Sequence, residues 1–281
     1  MSTNAVWFIT GCSTGFGREL ARRVLERGHR VVVTARNPDA LAGLIAGHED
    51  RALVHRLDVT DRAQVATAVA AAEHRFGRID VLVNNAGIGY FASVEESEEA
   101  AIRRMFEVNV FGLAWMTQAV LPIMRRQRSG RIINIASIAG IVGNPGIGFY
   151  NASKFAVVGL SESLAKEVGS LGIRVTIVEP SGFRTDWAGR SADETAVSIS
   201  DYEGTAGKNI RTIRDSSGRQ PGDPVRAADA IIRVAELADP PLNLLLGAGA
   251  LRGARKKLEQ FGADVEAWAE TTLGADAPVA K

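Results

Sequence analysis

This sequence has little to cross-link it and little net charge. One cysteine, Cys12, stands in 281 residues. An intramolecular disulfide and a cysteine-based metal site are both excluded, and a reducing compartment fits. Histidine is nearly as scarce, with His29, His48, His55 and His74. None are spaced as a metal pair on one helix face, so no metal is expected. Lys plus Arg number 33 and Asp plus Glu 32, a formal net charge of +1. That balance gives no electrostatic reason to expect nucleic acid as a partner. No apolar run reaches the roughly 18 residues that suggest a membrane span. Met1 to Asn4 carries no positive side chain, and the apolar run from Ala5 to Thr10 is too short for the core of a secretory signal. A cytoplasmic protein is the expectation. There is no internal repeat and no low-complexity segment.

What is present is an ordinary globular mixture, with 46% hydrophobic and 23% charged residues. A chain of this length can bury a large core as one domain, here residues 1–281. Short apolar runs alternate with helical patterns. Strands are expected at Ala5–Thr10, Val31–Val33, Leu53–Leu57, Val81–Val83, Arg131–Ile135, Val175–Val178 and Leu242–Leu246. Helices are expected at Arg18–Glu26, Pro38–Ala46, Ala63–Phe76 (capped by Asp61), Ile102–Arg126, Tyr150–Leu171 and Pro224–Leu237. Pro122 should bend or end the fourth of these. The alternation implies α/β architecture, a single Rossmann-type, doubly wound parallel sheet with helices on both faces. The stretch 186–223 is rich in Ser, Gly, Asp and Arg and lacks periodicity, which suggests a substrate lid or loop. Residues 251–281 form a C-terminal extension whose end, Thr272–Lys281, should fray. Within it Arg252, Arg255, Lys256 and Lys257 read as a solvated helix face.

The first chemical signal is Thr10-Gly11-Cys12-Ser13-Thr14-Gly15-Phe16-Gly17, between a strand and a helix. Glycine there lets backbone approach a pyrophosphate, and the helix N-terminus supplies free N–H groups and a positive dipole end. A tight structural turn would use the same glycines. No Gly-Lys-Ser/Thr follows, so a Walker-type nucleotide triphosphatase is not indicated. Cys12 has no neighbouring histidine and reads as a small residue in a crowded turn. Dinucleotide folds read the adenosine ribose at the tip of the second strand. Here that tip is Thr34-Ala35-Arg36, with no acid. Arg36 offers a planar fork to a 2′-phosphate, which favours NADP(H). Asp39 close behind keeps NAD(H) open.

The second signal is Tyr150-Asn151-Ala152-Ser153-Lys154, with Tyr and Lys four residues apart on one helix face. A free tyrosine titrates near pH 10, at about its reference value. A nearby ammonium favours the phenolate, so the pair could act as general acid and base. The same stretch contains a glycosylation sequon, Asn151-Ala152-Ser153, read as a chance match.

Asn84-Asn85-Ala86-Gly87 closes the fourth strand, Asn109 lies in the long helix, and Ser137 precedes Tyr150 by thirteen residues. Together with Thr10–Gly17 and the Tyr–Lys pair, these motifs resemble the short-chain dehydrogenase/reductase family over nearly all of residues 5–250. The resemblance implies that Tyr150 donates the proton to a ketone oxygen, or accepts it in reverse. Lys154 would lower the tyrosine pKa and bind the nicotinamide ribose, Ser137 would hold the substrate oxygen, and Asn109 would hold a relay water. It further implies cofactor contacts at Gly11, Ser13, Thr14, Gly15, Phe16, Gly17, Arg36, Asp58, Val59, Asn85, Ala86 and Gly87. After the sixth strand, Pro180, Gly182, Phe183 and Thr185 would complete them. Asn84 would brace the sheet.

The chain departs from the family pattern in two places. It reads Pro180-Ser181-Gly182 where the family usually has Pro-Gly, so Ser181 could restrict the backbone beside the nicotinamide. Thr14 stands where NADP-preferring members often carry a base, which weakens the NADP(H) inference. The long 186–223 segment and the form of the glycine turn look more like the hydroxysteroid- and retinol-type branch than the acyl-carrier-protein reductases. The implied activity is a carbonyl reductase or alcohol dehydrogenase. A 3-oxoacyl thioester reductase and a non-catalytic cofactor-sensing regulator stay open. A small apolar carbonyl or alcohol substrate is expected, in a pocket lined by Phe91, Val142 and Phe149. The family's four-helix contact, through the long helix and the Tyr–Lys helix, implies a homo-dimer or homo-tetramer.

Overall fold

The computed structural model describes residues 4–189 and 191–277. The first half runs β1 (Val6–Ile9), α1 (Gly15–Glu26), β2 (Arg30–Ala35), α2 (Ala42–Ile45), β3 (Ala52–Arg56), α3 (Arg62–Phe76), β4 (Val81–Asn84), β5 (Gly89–Phe91), α4 (Glu99–Phe106) and α5 (Leu113–Gln127). The second half runs β6 (Gly130–Ile135), α6 (Gly148–Val168), β7 (Ile173–Pro180), β8 (Ala192–Glu194), α7 (Lys208–Asp215), α8 (Pro224–Glu236), β9 (Asn243–Leu246), α9 (Ala248–Ala267) and α10 (Ala269–Leu273). The main sheet has seven strands in the order β3-β2-β1-β4-β6-β7-β9, and every pairing is parallel. This is the doubly wound arrangement, with its change of winding direction between β1 and β4.

Strand residues alternate between two cores, as a period of two requires. Trp7, Ile9, Val31 and Val33 face one side and pack on Leu20, Val24 and Leu25 of α1 and Ile231 and Ile232 of α8. Phe8, Val32, Leu82 and Ile132 face the other and meet Val65, Met116, Val120 and Leu164 of α3, α5 and α6. Helix ends are fixed locally. The Asp61 carboxylate accepts from the backbone N–H groups of Ala63 and Gln64, and Asp223 does the same for Val225 and Arg226. Such a cap contributes about 1 kcal/mol.

Three expectations need correction. Pro122 neither ends nor divides its helix, because α5 continues to Gln127. The irregularity lies earlier, in a π-helical turn over Glu107–Gly112 that joins α4 to α5. The expected irregular 186–223 segment carries β8, two 3-10 turns, a π-helical turn and α7; its residue 190 lies outside the described residues. Its β8 pairs in parallel with β5, a contact with no local sequence signal. The stretch expected to fray from Thr272 is helical as far as Leu273, where α10 ends, and residues 278–281 lie outside the described ones.

The run 99–127 contains an 18-residue window of mean hydropathy 1.2, long and apolar enough to cross a membrane by composition. In this fold Met116, Val120, Ile123 and Met124 of that run pack against the sheet, so it is a core helix.

Candidate active site

The glycine turn after β1 is held from the neighbouring strand. Thr10 Oγ1 donates to Val83 O and accepts from the backbone N–H groups of Asn85 and Ala86 at 2.9 and 3.0 Å. Asn85 Nδ2 donates to Thr10 O and Gly11 O at 2.8 and 3.0 Å. Asn85 therefore braces the turn with its side chain. The approach is close enough to demand glycine: a Cβ on Gly17 would lie 2.4 Å from both Asn85 Nδ2 and Gly11 O. Gly11 has φ +70°, a conformation that favours glycine. Thr14 stands at the N-cap of α1 without a side-chain capping bond, and the first turn holds no acid. The α1 N–H groups and dipole are thus left to an outside anion, and the turn fits a dinucleotide pyrophosphate. Cys12 is fully buried, and burial pushes its thiol up to about 12, which removes it as a nucleophile.

On the far side of β4, the π-helical turn aims Asn109 inward, and π-helical turns recur at functional sites. Its Oδ1 accepts from Ile88 N at 2.8 Å, while its Nδ2 donates to Ile88 O and Ser153 Oγ at 2.9 and 3.2 Å. Asn109 thus pins the chain just after Gly87. Asn84 does brace the sheet: its Nδ2 donates to Thr117 Oγ1 and Asn134 Oδ1.

Ser137 follows β6, and Tyr150 and Lys154 lie in the first two turns of α6. All three face one cavity of about 330 Å³, with Gly11, Gly15 and Phe16 at its other end. Ser137 hydrogen-bonds the Tyr150 hydroxyl, which pulls the phenol down. Burial is the larger influence, so Tyr150 ends above its ordinary value. Lys154 Nζ sits 5.7 Å from the Tyr150 ring centroid and donates to Ile135 O at 2.8 Å. Burial lowers the ammonium to about 8. The lowered tyrosine expected from the i, i+4 spacing is thus not the state of this site. Burial shifts both groups towards their neutral forms.

The cavity also gathers Thr14, Asn85, Gly87, Pro180, Gly182, Phe183 and Thr185. Ser13, Gly17, Ala86 and Asn109 are not among its lining residues, though Ala86 lies against Gly11, Gly17 against Asn85 and Asn109 against Gly87. Ser181 is accommodated: its hydroxyl donates to Leu246 O at 3.3 Å, and Gly247, at φ +90°, leaves it room. Asp58 is turned to its own loop, its carboxylate accepting from the Thr60 amide and hydroxyl. Val59 is buried under Gly112 of the π-helical turn. Arg36 is exposed past the end of β2 with no polar partner among the described residues.

The substrate end differs from expectation. Phe91 is fully buried behind Trp187, with ring centroids 5.5 Å apart. Phe149 packs beside the site, and neither it nor Val142 faces the cavity. Ile88, Ile138, Ile147, Trp187 and Ile213 line it instead. The Trp187 indole lies against Tyr150, centroids 4.8 Å apart and tilted by 47°. Its position two residues after Thr185 was the available sequence signal.

Besides the β8–β5 pairing, side chains moor the 186–223 segment to the body. Arg214 donates to Gly189 O and Ala192 O, pairs with Glu194 and stacks 4.5 Å over Phe91. Glu96 accepts from Ser93, Ser198 and Ile199, bonds that hold its carboxyl down at about 2.

Residues 5–196 match the family described as short chain dehydrogenase. The chain is 41% identical over 269 residues to oxidoreductase BOA17 of Botryotinia fuckeliana, covering 95% of this chain and 98% of that one. It is 34% identical over 255 residues to human retinol dehydrogenase 8, covering 84% and 79%. Among solved structures, a short-chain dehydrogenase from Streptomyces avermitilis superposes with a TM-score of 0.91 at 38% identity, covering 99% of this chain and all of that one. A short-chain dehydrogenase/reductase from Burkholderia phymatum in complex with NAD gives 0.81 at 27% identity, covering 93% and 95%. A serine dehydrogenase complexed with NADP+ gives 0.75 at 28%, covering 86% and 94%.

Proposed function

This chain belongs to the short-chain dehydrogenase family, and within that oxidoreductase family we propose that it interconverts a small apolar ketone or aldehyde with its alcohol, using NADP(H) in preference to NAD(H). The observation that carries this reading is the single cavity joining the glycine turn to Ser137, Tyr150 and Lys154.

The nicotinamide cofactor, when bound, supplies or takes up the hydride. The glycine turn and the uncapped α1 N-terminus would hold its pyrophosphate, and Arg36 its 2′-phosphate. Pro180, Gly182, Phe183 and Thr185 would hold the nicotinamide end. The Ser137 hydroxyl donates to the substrate oxygen and stabilises charge that develops there. The Tyr150 hydroxyl delivers the proton to that oxygen in reduction and receives it in oxidation. The raised Tyr150 pKa suits a group that stays protonated until the reaction calls for its proton. Lys154, at about 8, stays mostly charged at neutral pH and can restore the proton to Tyr150. Asn109 keeps residues 87 and 88 in register beside Lys154. Trp187 and the isoleucines make the pocket apolar and exclude water.

Similarity to retinol dehydrogenase 8 favours the hydroxysteroid- and retinol-type branch. Exposed Phe111 next to α5, and exposed Phe155 and Leu160 on α6, fit the four-helix contact of a homo-dimer or homo-tetramer. A cytoplasmic setting is part of the same proposal.

The test is a fluorescence titration with NADPH and NADH, followed by turnover on a panel of steroid, retinoid and 3-oxoacyl thioester ketones. Tyr150→Phe should lower kcat by roughly 10²–10⁴-fold and leave cofactor Kd unchanged. Equal loss of both would contradict the division of labour. Binding of a cofactor without turnover of any ketone in the panel would favour the cofactor-sensing regulator, and failure to bind either cofactor would overturn both readings.

A further inference from the structure

Helix α9 begins on the body of the protein and then leaves it. Ala250 and Ala254 are buried, and Gly253 lies against Ile138 and Val142. From Arg255 to Trp268 every residue is exposed. A projecting helix should be polar all round, yet this one carries an apolar stripe. Leu258, Phe261, Val265 and Trp268 are 68%, 59%, 50% and 65% exposed. With Leu251 and Ala254 before them, they recur at alternating steps of three and four residues. That is the a/d pattern of a coiled-coil seam, sustained from 251 to 268.

The charges on this helix are divided along its length. Residues 252–257 hold Arg252, Arg255, Lys256 and Lys257 and no acid. Residues 258–270 hold Glu259, Asp264, Glu266 and Glu270 and no base. None of these side chains forms an ion pair among the described residues. A helix basic at one end and acidic at the other complements itself when reversed.

We propose that α9 pairs antiparallel with α9 of a second copy, forming a two-fold contact separate from the α5/α6 face. In the register that sets a positions against d positions, Leu258 of one copy meets Phe261 of the other. Leu251 then meets Trp268, and Lys257 flanks the seam opposite Asp264. The symmetry is isologous, so this contact by itself joins two copies and no more. The acidic half opposes an anionic lipid surface, and a parallel pairing would place like charges together. The exposed stretch 255–268 gives a seam about 20 Å long, a modest interface that calls for high protein concentration in its test.

Sedimentation velocity on the full chain is the measurement. The wild type should have at least twice the mass of Phe261→Glu/Trp268→Glu, whatever assembly the α5/α6 face makes. These substitutions touch no core residue, and matching thermal melts exclude misfolding. Lys257→Glu and Asp264→Lys should each weaken association by roughly 10-fold in Kd, and the two together should restore it. Equal masses for wild type and Phe261→Glu/Trp268→Glu would overturn the proposal. So would a double reversal no tighter than either single one. Co-sedimentation of the wild type with phosphatidylcholine/phosphatidylglycerol vesicles, with its mass unchanged by the apolar substitutions, would assign the stripe to a lipid surface instead.

Discussion

Two segments close the same cavity from opposite sides, and they are built in opposite ways. The turn after β1 spans a few residues and is shaped by glycines, the Thr10 hydroxyl and the Asn85 amide. The segment after β7 spans nearly forty residues and is shaped by contacts with β5, Glu96 and Phe91, each far away in sequence. One is a backbone device that tolerates almost no change. The other is a set of moored side chains whose inner surface can vary without disturbing the sheet. This difference is what a family needs if it keeps one cofactor and changes substrates.

Breaking the first segment should have the largest effect. Gly17→Val places a branched side chain where a Cβ already meets Asn85 Nδ2 and Gly11 O at 2.4 Å, both in the bracing network. Overpacking of this kind costs about 1–3 kcal/mol or more, and here it also displaces the anion-facing backbone. Titration should show no measurable binding of either cofactor, with a lower melting temperature. Wild-type affinity in that variant would mean the turn is more plastic than its contacts indicate.

The corresponding change in the second segment should be milder and of another kind. Trp187→Ala removes the indole that lies 4.8 Å from the Tyr150 ring. Water then reaches the phenol, and the burial that raises its pKa is relieved. The sign follows: alcohol oxidation needs the phenolate, so its rising limb should move to lower pH, by about one unit. Cofactor affinity should hardly move, while KM for large ketones changes. A pH profile identical to the wild type would show that Trp187 contributes shape and not desolvation.

What the sequence reveals follows the same line. The parallel doubly wound class, most of the strands and helices, the Asp61 cap and the glycine turn rest on determinants within a few residues, and these can be read from pattern and spacing. The convergence of Ser137, Tyr150 and Lys154 is legible through family resemblance, since the twelve residues between Ser137 and Tyr150 hide it from local reading. The pocket walls are not legible. Phe91 is apolar and in the right strand, but Trp187 from a distant segment covers it. The tyrosine pKa is misjudged for the same reason. Helical spacing puts an ammonium nearby, while burial by tertiary neighbours decides the direction. The apolar stripe of α9 is visible as a pattern from 251 to 268, but its exposure is a fact of three-dimensional placement.

The smallest expected effect belongs to Arg36, at the outer edge of the first segment. It is exposed and without a polar partner among the described residues, so its removal should leave the fold intact. A 2′-phosphate held there would gain a charged hydrogen bond in a solvent-screened setting. Arg36→Ala should therefore weaken NADPH binding by about 10-fold, or ~1.4 kcal/mol, and leave NADH binding unchanged. Thr14 offers no second base inside the turn, which keeps the expected preference modest. Equal loss for both cofactors would place Arg36 on the shared adenosine or pyrophosphate. No loss for either would leave Asp39 as the nearest acid after β2 and turn the preference towards NADH.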